Sequence, residues 1–476
     1  MRCLQRFWLT LRVGNATINV LSDDDLREIF YHCCHVNDVT WLCRWNNMRW
    51  KPLVHVCQRW RRIVFASPNY LNLQLLCDNM TPNARDSLDI WPPLPIGISY
   101  QPDYANGDQN IIAALEHHDR IIKIIFSDEE TPRPVVESLS AFMQEPLPAL
   151  IELDLWGESE PVLPEAFLGG SAPCLLSCTL RGIGFPGLPK LLVSTTELVS
   201  LVLHEIPDSG YIPPDAMGSC LATLPNLDRL NIDFSLSLSR PRLTSPPPPA
   251  RDILPSLTHF DLTGGAEYLE DLVARIDAPC LHHLVVTFAA DFDFIPSKLV
   301  GFISRSQRIE DLHRNDDRKV ELDPWSVRMT DKSGGQLEFG IRHNQSSWQL
   351  ESLENLCDNL SPLLSQVERL RIRVDSRGRR QPKADMNLTQ WLDVFFQFPA
   401  VYYLSISRRM ASVVVRALGR LGRDEHEEVL PELSWMDFDF LNPRGEEVLD
   451  DFITDRRHYA HRRIDFTELL GPSVDE

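Results

Sequence analysis

A six-residue apolar pattern recurs along most of the chain and constrains the fold more than any other feature. Successive copies between residues 121 and 281 begin 29, 25, 23, 29, 30 and 24 residues apart. No single unit of this size can bury its own apolar face, so the copies must stack on one another. The copies that fit L-x-x-L-x-L at positions one, four and six are Ile121-Ile124-Phe126, Leu150-Leu153-Leu155, Leu175-Cys178-Leu180, Leu198-Leu201-Leu203, Leu227-Leu230-Ile232, Leu257-Phe260-Leu262, Leu281-Leu284-Val286, Val367-Leu370-Ile372, Val401-Leu404-Ile406 and Leu433-Met436-Phe438.

This spacing is typical of leucine-rich repeats, in which each unit holds one strand and one helix or 3₁₀ turn. Proline stands two residues before seven of the copies, and proline cannot continue a helix, so each is expected to end the returning segment. Several returning segments are amphipathic: Leu269, Leu272, Val273 and Ile276 form one stripe, and Leu353, Leu356, Cys357 and Leu360 form another. The prolines are Pro148, Pro173, Pro225, Pro255, Pro279, Pro399 and Pro431.

The domain organisation follows from where the copies begin and end. We predict a frayed extension at residues 1–17, a helical module at 18–77, a linker at 78–104 and a leucine-rich-repeat-like domain at 105–465. Residues 304–336 contain no clean copy, which indicates a degenerate unit or a break. The acidic tail at 466–476 is expected to be disordered.

Two amphipathic helices are predicted in the helical module. Ser22 can cap the first, with Asp25 at its third position and Leu26, Ile29 and Phe30 on its apolar face. In the second, which Pro52 can start, Leu53, Val56, Cys57, Trp60 and Val64 share one stripe. The segment between the two helices, which contains Trp41, Trp45 and Trp50, is expected to pack on the module or on the first repeat.

The order of these residues resembles an F-box. L-S-x-D-x-L-x-x-I-F begins at Leu21 and L-V-x-V-C-x-x-W-x-x-I-V begins at Leu53, followed by Ser67-Pro68 and Leu71–Leu75. The resemblance covers roughly residues 18–77 and is closest to the F-box-like proteins expanded in mushroom-forming fungi. Ser22 replaces the proline usual in that family, and the segment between the helices is longer than usual. The fold class expected is therefore α/β: a small all-α F-box-like module followed by a leucine-rich-repeat-like solenoid, with strands on the concave face and helices or turns on the convex face.

The resemblance implies the substrate-recognition subunit of a Skp–cullin–F-box type ubiquitin ligase. In that family the box docks on the Skp adaptor, and through it on a cullin–RING ligase, while the repeats hold the target protein. The receptor itself does no chemistry. The positions that match the motif, and are therefore expected to contact the adaptor, are Leu21, Leu26, Ile29, Phe30, Leu53, Val56, Trp60 and Val64. A different class remains open, a leucine-rich-repeat scaffold that binds a protein ligand without assembling a ligase.

The target is expected at strand positions three, five and seven, because side chains alternate between the two faces of a strand. Charged residues normally face water, so a merely solvated face is the alternative for each of these positions. Three arginines on one strand could grip an acidic segment or a phosphorylated residue of the target. The candidate target-binding residues are Trp156, His204, Arg229, His259, Arg369, Arg371, Arg373 and Tyr403.

Composition and the remaining motifs exclude several functions. The net charge of -20 argues against nucleic acid and anionic membranes, and no apolar run is long enough to span a bilayer. The eleven scattered cysteines fit reduced thiols, and with the F-box resemblance they indicate the cytoplasm or the nucleus. His32-Cys33-Cys34-His35 lacks the ligand spacing of structural zinc.

One sequence motif raises the possibility of a cofactor-dependent enzyme. Gly182, Gly184 and Gly187 spell the dinucleotide fingerprint G-x-G-x-x-G, but Pro186 and Pro189 stand where the phosphate-binding helix should start. We therefore expect no metal, no cofactor and no catalytic residues.

Overall fold

The computed structural model describes residues 18–35, 49–78, 84–100, 108–126, 140, 143–157, 160–234, 250–288, 297–306, 319–323, 326–330, 335–341, 350–373, 388–419, 429–438, 450, 453–454 and 465–468. The chain divides into two compact units, Met1–Leu175 and Leu176–Glu476. No helix in the described part of the chain combines the length and the apolar character needed to cross a bilayer. The predicted extension at 1–17, together with Trp41 and Trp45, lies outside the described residues.

Unit 1 joins helices to a parallel sheet. Its strands pair in chain order, with Leu75 beside Ile96 and Ile98 beside Ile124. The strand series therefore begins before residue 105, and the segment predicted as a linker contributes both a helix and a strand. The elements are α1 (Asp23–Cys34), α2 (Lys51–Val54), α3 (Gln58–Phe65), β1 (Leu75–Asp78), α4 (Ala84–Ile90), β2 (Ile96–Ser99), α5 (Asp108–Leu115), β3 (Ile121–Phe126) and β4 (Glu152–Trp156).

Unit 2 is built from a long sheet with helices between its strands. Every predicted copy of the apolar pattern in this unit forms a strand. The strands are β5 (Ser177–Arg181), β6 (Ser200–Ile206), β7 (Arg229–Phe234), β8 (Asp252–Ile253), β9 (His259–Gly264), β10 (Ile276–Asp277), β11 (His283–Phe288), β12 (Lys319–Leu322), β13 (Ser326–Thr330), β14 (Gln336–Ile341), β15 (Arg369–Ile372), β16 (Tyr403–Ile406), β17 (Trp435–Phe438) and β18 (Asp465–Glu468). Strands β8 and β10 form a small separate pair.

The helices of unit 2 return the chain from one strand to the next, and helices pack on one another from Leu188 to Arg305 and again from Leu350 to Leu418. The two amphipathic stripes predicted from sequence are confirmed as buried, at Leu269 with its neighbours and at Leu353 with its neighbours. The helices are α6 (Leu188–Ser194), α7 (Pro214–Leu221), α8 (Ala266–Val273), α9 (Ser297–Arg305), α10 (Leu350–Asn359), α11 (Ser361–Leu364), α12 (Leu388–Phe396) and α13 (Arg408–Leu418).

Residues 304–336 do not break the sheet, contrary to one of the two expectations. Strand β11 pairs with β14, and β14 continues through β13 and β12 to β15. The three middle strands form an antiparallel meander that lies in reverse chain order, with β13 the strand that runs against its neighbours. At the other end of the sequence, Asp465–Glu468 pairs with β17, so the sheet extends into the predicted tail.

Continuous rows of apolar side chains run across the strands of unit 2. In-register pairing places the fourth residue of each copy beside the fourth residue of the next, and the same holds for the sixth. One row, with each member 0% exposed, is Cys178, Leu201, Leu230, Phe260, Leu284 and Leu337. Each row buries surface that a lone strand would leave in water, which is the stabilising contribution that stacking supplies.

The recurring prolines occupy the second position of a four-residue turn. In each case the N–H of the first apolar residue of the copy donates to the carbonyl three residues earlier, over 3.1 to 3.4 Å. Proline favours this position because its φ is already set, and the loss of its N–H costs nothing there. The accepting residues are all buried: Leu147, Ala172, Leu224, Leu254, Ala278, Phe398 and Leu430.

Gly184 and Gly210 meet where the loop after β5 packs on the loop after β6. A Cβ on Gly184 would lie 2.1 Å from the Oγ of Ser209 and 3.0 Å from its Cβ. This close approach explains why glycine stands at the middle position of the G-x-G-x-x-G sequence. The neighbouring loop therefore covers the place where a dinucleotide phosphate would have to approach.

We expect Gly184→Ala to lower the free energy of unfolding by about 1–3 kcal/mol, the usual cost of overpacking. Ser209→Gly removes both obstructing atoms, so the double variant should recover most of that loss. Gly265→Ala is the matched control, because nothing lies within 4 Å of its Cβ position. Urea unfolding of the four variants measures the effect, and a Gly184→Ala protein as stable as the parent would contradict the packing.

Candidate protein-binding surfaces

Helix α1 begins at the predicted cap. The backbone N–H of Asp25 donates to the Ser22 hydroxyl over 3.1 Å, and the Ser22 N–H donates to the Asp25 carboxylate over 2.9 Å. The hydrogen bond from the Ser22 hydroxyl lowers the pKa of Asp25. The reciprocal pair satisfies two backbone donors that would otherwise face water at the helix start.

The predicted second helix is two helices, which corrects the sequence interpretation. Cys57 has an extended backbone (φ -161°, ψ 169°) and separates α2 from α3. The apolar stripe therefore does not continue: Val56 is 57% exposed and Cys57 is exposed. Arg61 spans the break by donating from Nε to the carbonyl of Val54 over 3.0 Å.

An ion pair joins α3 to the start of α1. Arg59 donates from Nε to Asp23 over 2.8 Å and from Nη2 to the Leu21 carbonyl over 2.6 Å. The hydrogen bond from Arg59 lowers the pKa of Asp23, with a further contribution from Arg62. These contacts fix the position of α3 relative to the start of α1.

The structure sorts the eight predicted adaptor-binding residues into two groups. Four are buried in the module and cannot be reached in this conformation: Leu26, Phe30, Leu53 and Val64. Val56 is largely exposed, while Leu21, Ile29 and Trp60 are partly exposed. The Trp60 ring rests on Phe30, with centroids 4.7 Å apart. Trp50, expected to pack, is 1% exposed and donates its indole N–H to the Gln74 carbonyl.

Each unit has a polar sheet face with the predicted alternation. On β4 of unit 1, Glu152, Asp154 and Trp156 are partly exposed between buried leucines. On the strands of unit 2, His204, His259 and Tyr403 are partly exposed and Arg229 is exposed. Two positions expected to face water are nevertheless buried: Asp233, 4% exposed, and Ser405, 8% exposed. His204 Nε2 lies 3.3 Å from the Asp233 carboxylate, which gives that buried group a partner.

Two of the three candidate arginines, Arg371 on β15 and Arg373 just after it, lie close to a carboxylate that sequence analysis missed. Glu321 on the neighbouring strand β12 lies 3.8 Å from Arg371, 3.7 Å from Arg373 and 3.1 Å from Lys319. Burial tends to raise the pKa of Glu321, but Lys319 and the two arginines outweigh it and lower that pKa. Because no apolar copy marks β12, sequence analysis could not predict that a carboxylate lies beside the arginines.

Aromatic side chains surround the remaining arginine. Arg369 donates from Nε to the Tyr402 hydroxyl over 2.9 Å, and its guanidinium lies 5.8 and 5.9 Å from the rings of Tyr402 and Tyr403. The Tyr403 hydroxyl donates to Asp437 over 2.9 Å, and burial together with this bond raises the pKa of Tyr403. We call Lys319, Arg369, Arg371, Arg373 and Tyr403 the basic patch.

A second close charge pair lies on the meander. Arg328 on β13 binds both oxygens of Glu338 on β14, from Nε over 2.7 Å and from Nη2 over 2.8 Å. Gln336 also donates to Glu338 over 2.6 Å. Such a two-point pair is geometrically specific, and it keeps the antiparallel strands in register. Its charges cancel, so the excess positive charge of this region resides in the basic patch.

The dinucleotide hypothesis receives no support from the local structure. Gly187 precedes α6, a seven-residue helix with Pro189 in its first turn, and Gly184 is covered by Ser209. Among the described residues, no three His, Cys, Asp or Glu side chains are grouped so that they could hold a metal ion.

We expect Glu321→Gln to lower the free energy of unfolding by up to about 1 kcal/mol at pH 7 in low salt, since solvent screens a half-exposed cluster. The folded-state pKa of Glu321 is lowered, so the charged group stabilises the fold above about pH 4.3 and this contribution is lost as the pH falls through the lowered pKa. Chemical unfolding across pH and salt measures it, with the exposed Glu165→Gln as control. If the loss of unfolding free energy in Glu321→Gln did not change with pH, it would not arise from the charge of Glu321.

Comparison with known proteins adds little to this description. The sequence matches no protein-family profile, and no curated protein is similar to it in sequence. Among solved structures, the chain is similar to the leucine-rich-repeat-containing protein LegL7 from Legionella pneumophila, with 9% sequence identity and a TM-score of 0.27. The alignment covers 80% of this chain and 97% of LegL7. The leucine-rich-repeat-like architecture therefore rests on the strands, turns and buried rows of the chain itself.

Proposed function

We propose that this chain is the substrate-recognition subunit of a Skp–cullin–F-box type ubiquitin ligase. The observation that carries the proposal is the F-box-like order of residues at Leu21 and Leu53, in which Val56 between α2 and α3 is exposed and Ile29 and Trp60 are partly exposed. The same chain carries a polar sheet face in its repeat units, which suits the capture of a protein. In this proposal the chain does no chemistry and raises the concentration of the target near the catalytic subunits.

A repeat scaffold that binds a protein without a ligase is the second candidate. It is favoured by the burial of Leu26, Phe30, Leu53 and Val64, because these side chains already form a core for the helical module. In this case the module would serve as a packing element of the repeat region. Both candidates share the polar sheet face as the binding surface and differ in whether the Skp adaptor binds.

For the ligase function, we expect Trp60→Ala to weaken binding to a purified Skp adaptor by about 2 kcal/mol, as truncation of an aromatic anchor does. Because Trp60 also rests on Phe30, Val56→Asp is the cleaner variant: it places a charge at an exposed apolar position and should weaken binding at least about tenfold. Ile90→Asp is the control, since Ile90 is 72% exposed in the same unit. Calorimetry gives the affinities and circular dichroism the folding. If both variants bound the Skp adaptor with unchanged affinity, the ligase function would be contradicted and the scaffold function favoured.

The basic patch is the proposed site for an acidic or phosphorylated segment of the target. Arg373 is the most exposed of its three arginines, while Arg371 and Arg369 hold partners that a stronger anion could displace. A phosphoryl group offers three acceptor oxygens and a charge near -2, which exceeds that of the Glu321 carboxylate. The excess of cations over Glu321 therefore supports an anionic ligand at this place.

Replacing Arg369, Arg371 and Arg373 with Ser should abolish target capture by the full-length chain and leave adaptor affinity unchanged. Substitution of the three by Lys keeps the charge but loses two-point binding, so capture should be intermediate. Arg251→Ser is the matched control for losing an exposed arginine of unit 2. Affinity capture with quantitative mass spectrometry, with and without phosphatase treatment, provides the comparison. Equal capture by the triple Ser variant would rule out this site.

A further inference from the structure

A group of ionisable side chains lies on the polar face of unit 2, away from the basic patch, where β7, β9, β11 and β14 run side by side. Pairing places Arg229, His259 and His283 next to one another across three strands. The rings of His259 and His283 have centroids 5.3 Å apart and an interplanar angle of 37°. Two imidazoles this close repel each other when both are protonated.

Asp261 stands beside this pair and lacks strong hydrogen bonds. Its Oδ2 is 3.5 Å from the amide nitrogen of Asn231, and its buried Oδ1 receives no hydrogen bond from any residue that the structure describes. Burial raises the pKa of Asp261, although His283, His259 and Arg229 oppose this effect. A half-buried carboxylate with a single weak donor is stabilised by any positive charge that arises beside it.

The partners of His259 indicate where its proton lies. The Thr258 hydroxyl is 2.5 Å from a carboxylate oxygen of Asp228 and 2.7 Å from Nδ1 of His259. A hydroxyl has one hydrogen, so if it donates to Asp228, its oxygen must accept from the N–H at Nδ1. This assignment leaves the Nε2 lone pair of neutral His259 available for a second proton.

The surroundings of His283 set the balance of its charge. Burial lowers the pKa of His283, and Asp261 and Glu338 oppose this while His259 and His282 add to it. Arg229 faces Asp261 from β7, and Arg328 holds Glu338 from β13. With neutral imidazoles, the carboxylates of Asp228, Asp261 and Glu338 outnumber the guanidiniums of Arg229 and Arg328 by one. Protonation of both imidazoles reverses the sign of the net charge of this group of side chains.

We propose that His259, His283 and Asp261 form a proton-operated switch, which makes this part of the polar face negative when the rings are neutral and positive when they are protonated. Imidazole ordinarily takes up its proton near pH 6.5, and burial moves the protonation of His283 to a lower pH. The negative state fits a Lys or Arg side chain of a protein partner, which could supply the missing donors to Asp261. Protonation of the rings supplies internal donors instead and releases that cationic partner. The consequence for binding rests on the proposed function, whereas the titration itself does not.

The titration can be followed on the full-length protein labelled with ¹³C at histidine Cε1, from about pH 8 to pH 5. We expect Asp261→Asn to lower the midpoint of His283 by about 0.5–1 pH unit, because it removes an attractive charge. His259→Gln should raise the midpoint of His283 by a similar amount, because it removes a repulsive one. The opposite directions exclude a general change in folding as the cause. Asp393→Asn, on an exposed position of α12, is the control and should leave the midpoint unchanged.

The switch would be overturned if the His283 midpoint were the same in the parent and in both variants. It would also be overturned if the His283 ring stayed neutral down to the lowest pH of the titration. Target capture at about pH 7.5 and about pH 5.5 then tests the consequence. We expect severalfold weaker capture at the lower pH, and no such dependence in a His259→Gln, His283→Gln double variant. Capture that is equally pH-dependent in the double variant would overturn the regulation. Coupled titration without any target capture would instead count against the proposed function and leave the switch standing.

Discussion

The hydrogen bond that closes the turn before each proline-marked strand is the constraint on which the rest of the structure depends. In the turn from Leu254 to Leu257, both end residues are buried, so the Leu254 carbonyl and the Leu257 N–H must satisfy each other or remain without partners. Pro255 at the second position holds the turn in shape. Once the turn is closed, the first apolar residue of the strand is fixed in depth. The register of the buried rows follows, and the side chains of the opposite face are then fixed as well.

The strands are predicted best where the residues of the apolar pattern are also the residues that form the buried rows. All ten predicted copies contain a strand, because burial at positions one, four and six is what stacking requires. Strand β14 was missed because Leu337, Phe339 and Ile341 alternate without an apolar residue three positions before the first of them. The interruption at Cys57 was missed because a helical stripe records which residues could share a face and contains no information on an extended residue within it. The position of Glu321 could not be predicted either, because it lies on β12, which no apolar copy marks.

More of the charged side chains on the polar face are paired with one another than the sequence indicates. Asp233 has His204, Glu338 has Arg328, and Glu321 has a lysine and two arginines. A partner that binds this face must offer more than these internal contacts provide, since it has to replace them as well as meet them. The side chains with the least complete set of partners are therefore better guides to binding than the most charged ones. That criterion selects Asp261 and the exposed arginine of the basic patch.

The reversed meander also has a consequence for how the chain reaches its native state. Elsewhere in unit 2 each new strand of the long sheet pairs with the preceding strand of that sheet, so the sheet can grow in the order of synthesis through short-range closures. Strand β12 cannot join the sheet when it is synthesised, because β14, which is made later, occupies the position beside β11. If the sheet grows in that order, its growth must pause after Phe288 until Ile341 has been made, because only then can the meander dock and offer β12 as the template for β15. The meander would then divide the folding of the sheet into an early and a late half and leave the edge of β11 unpaired in the interval between them.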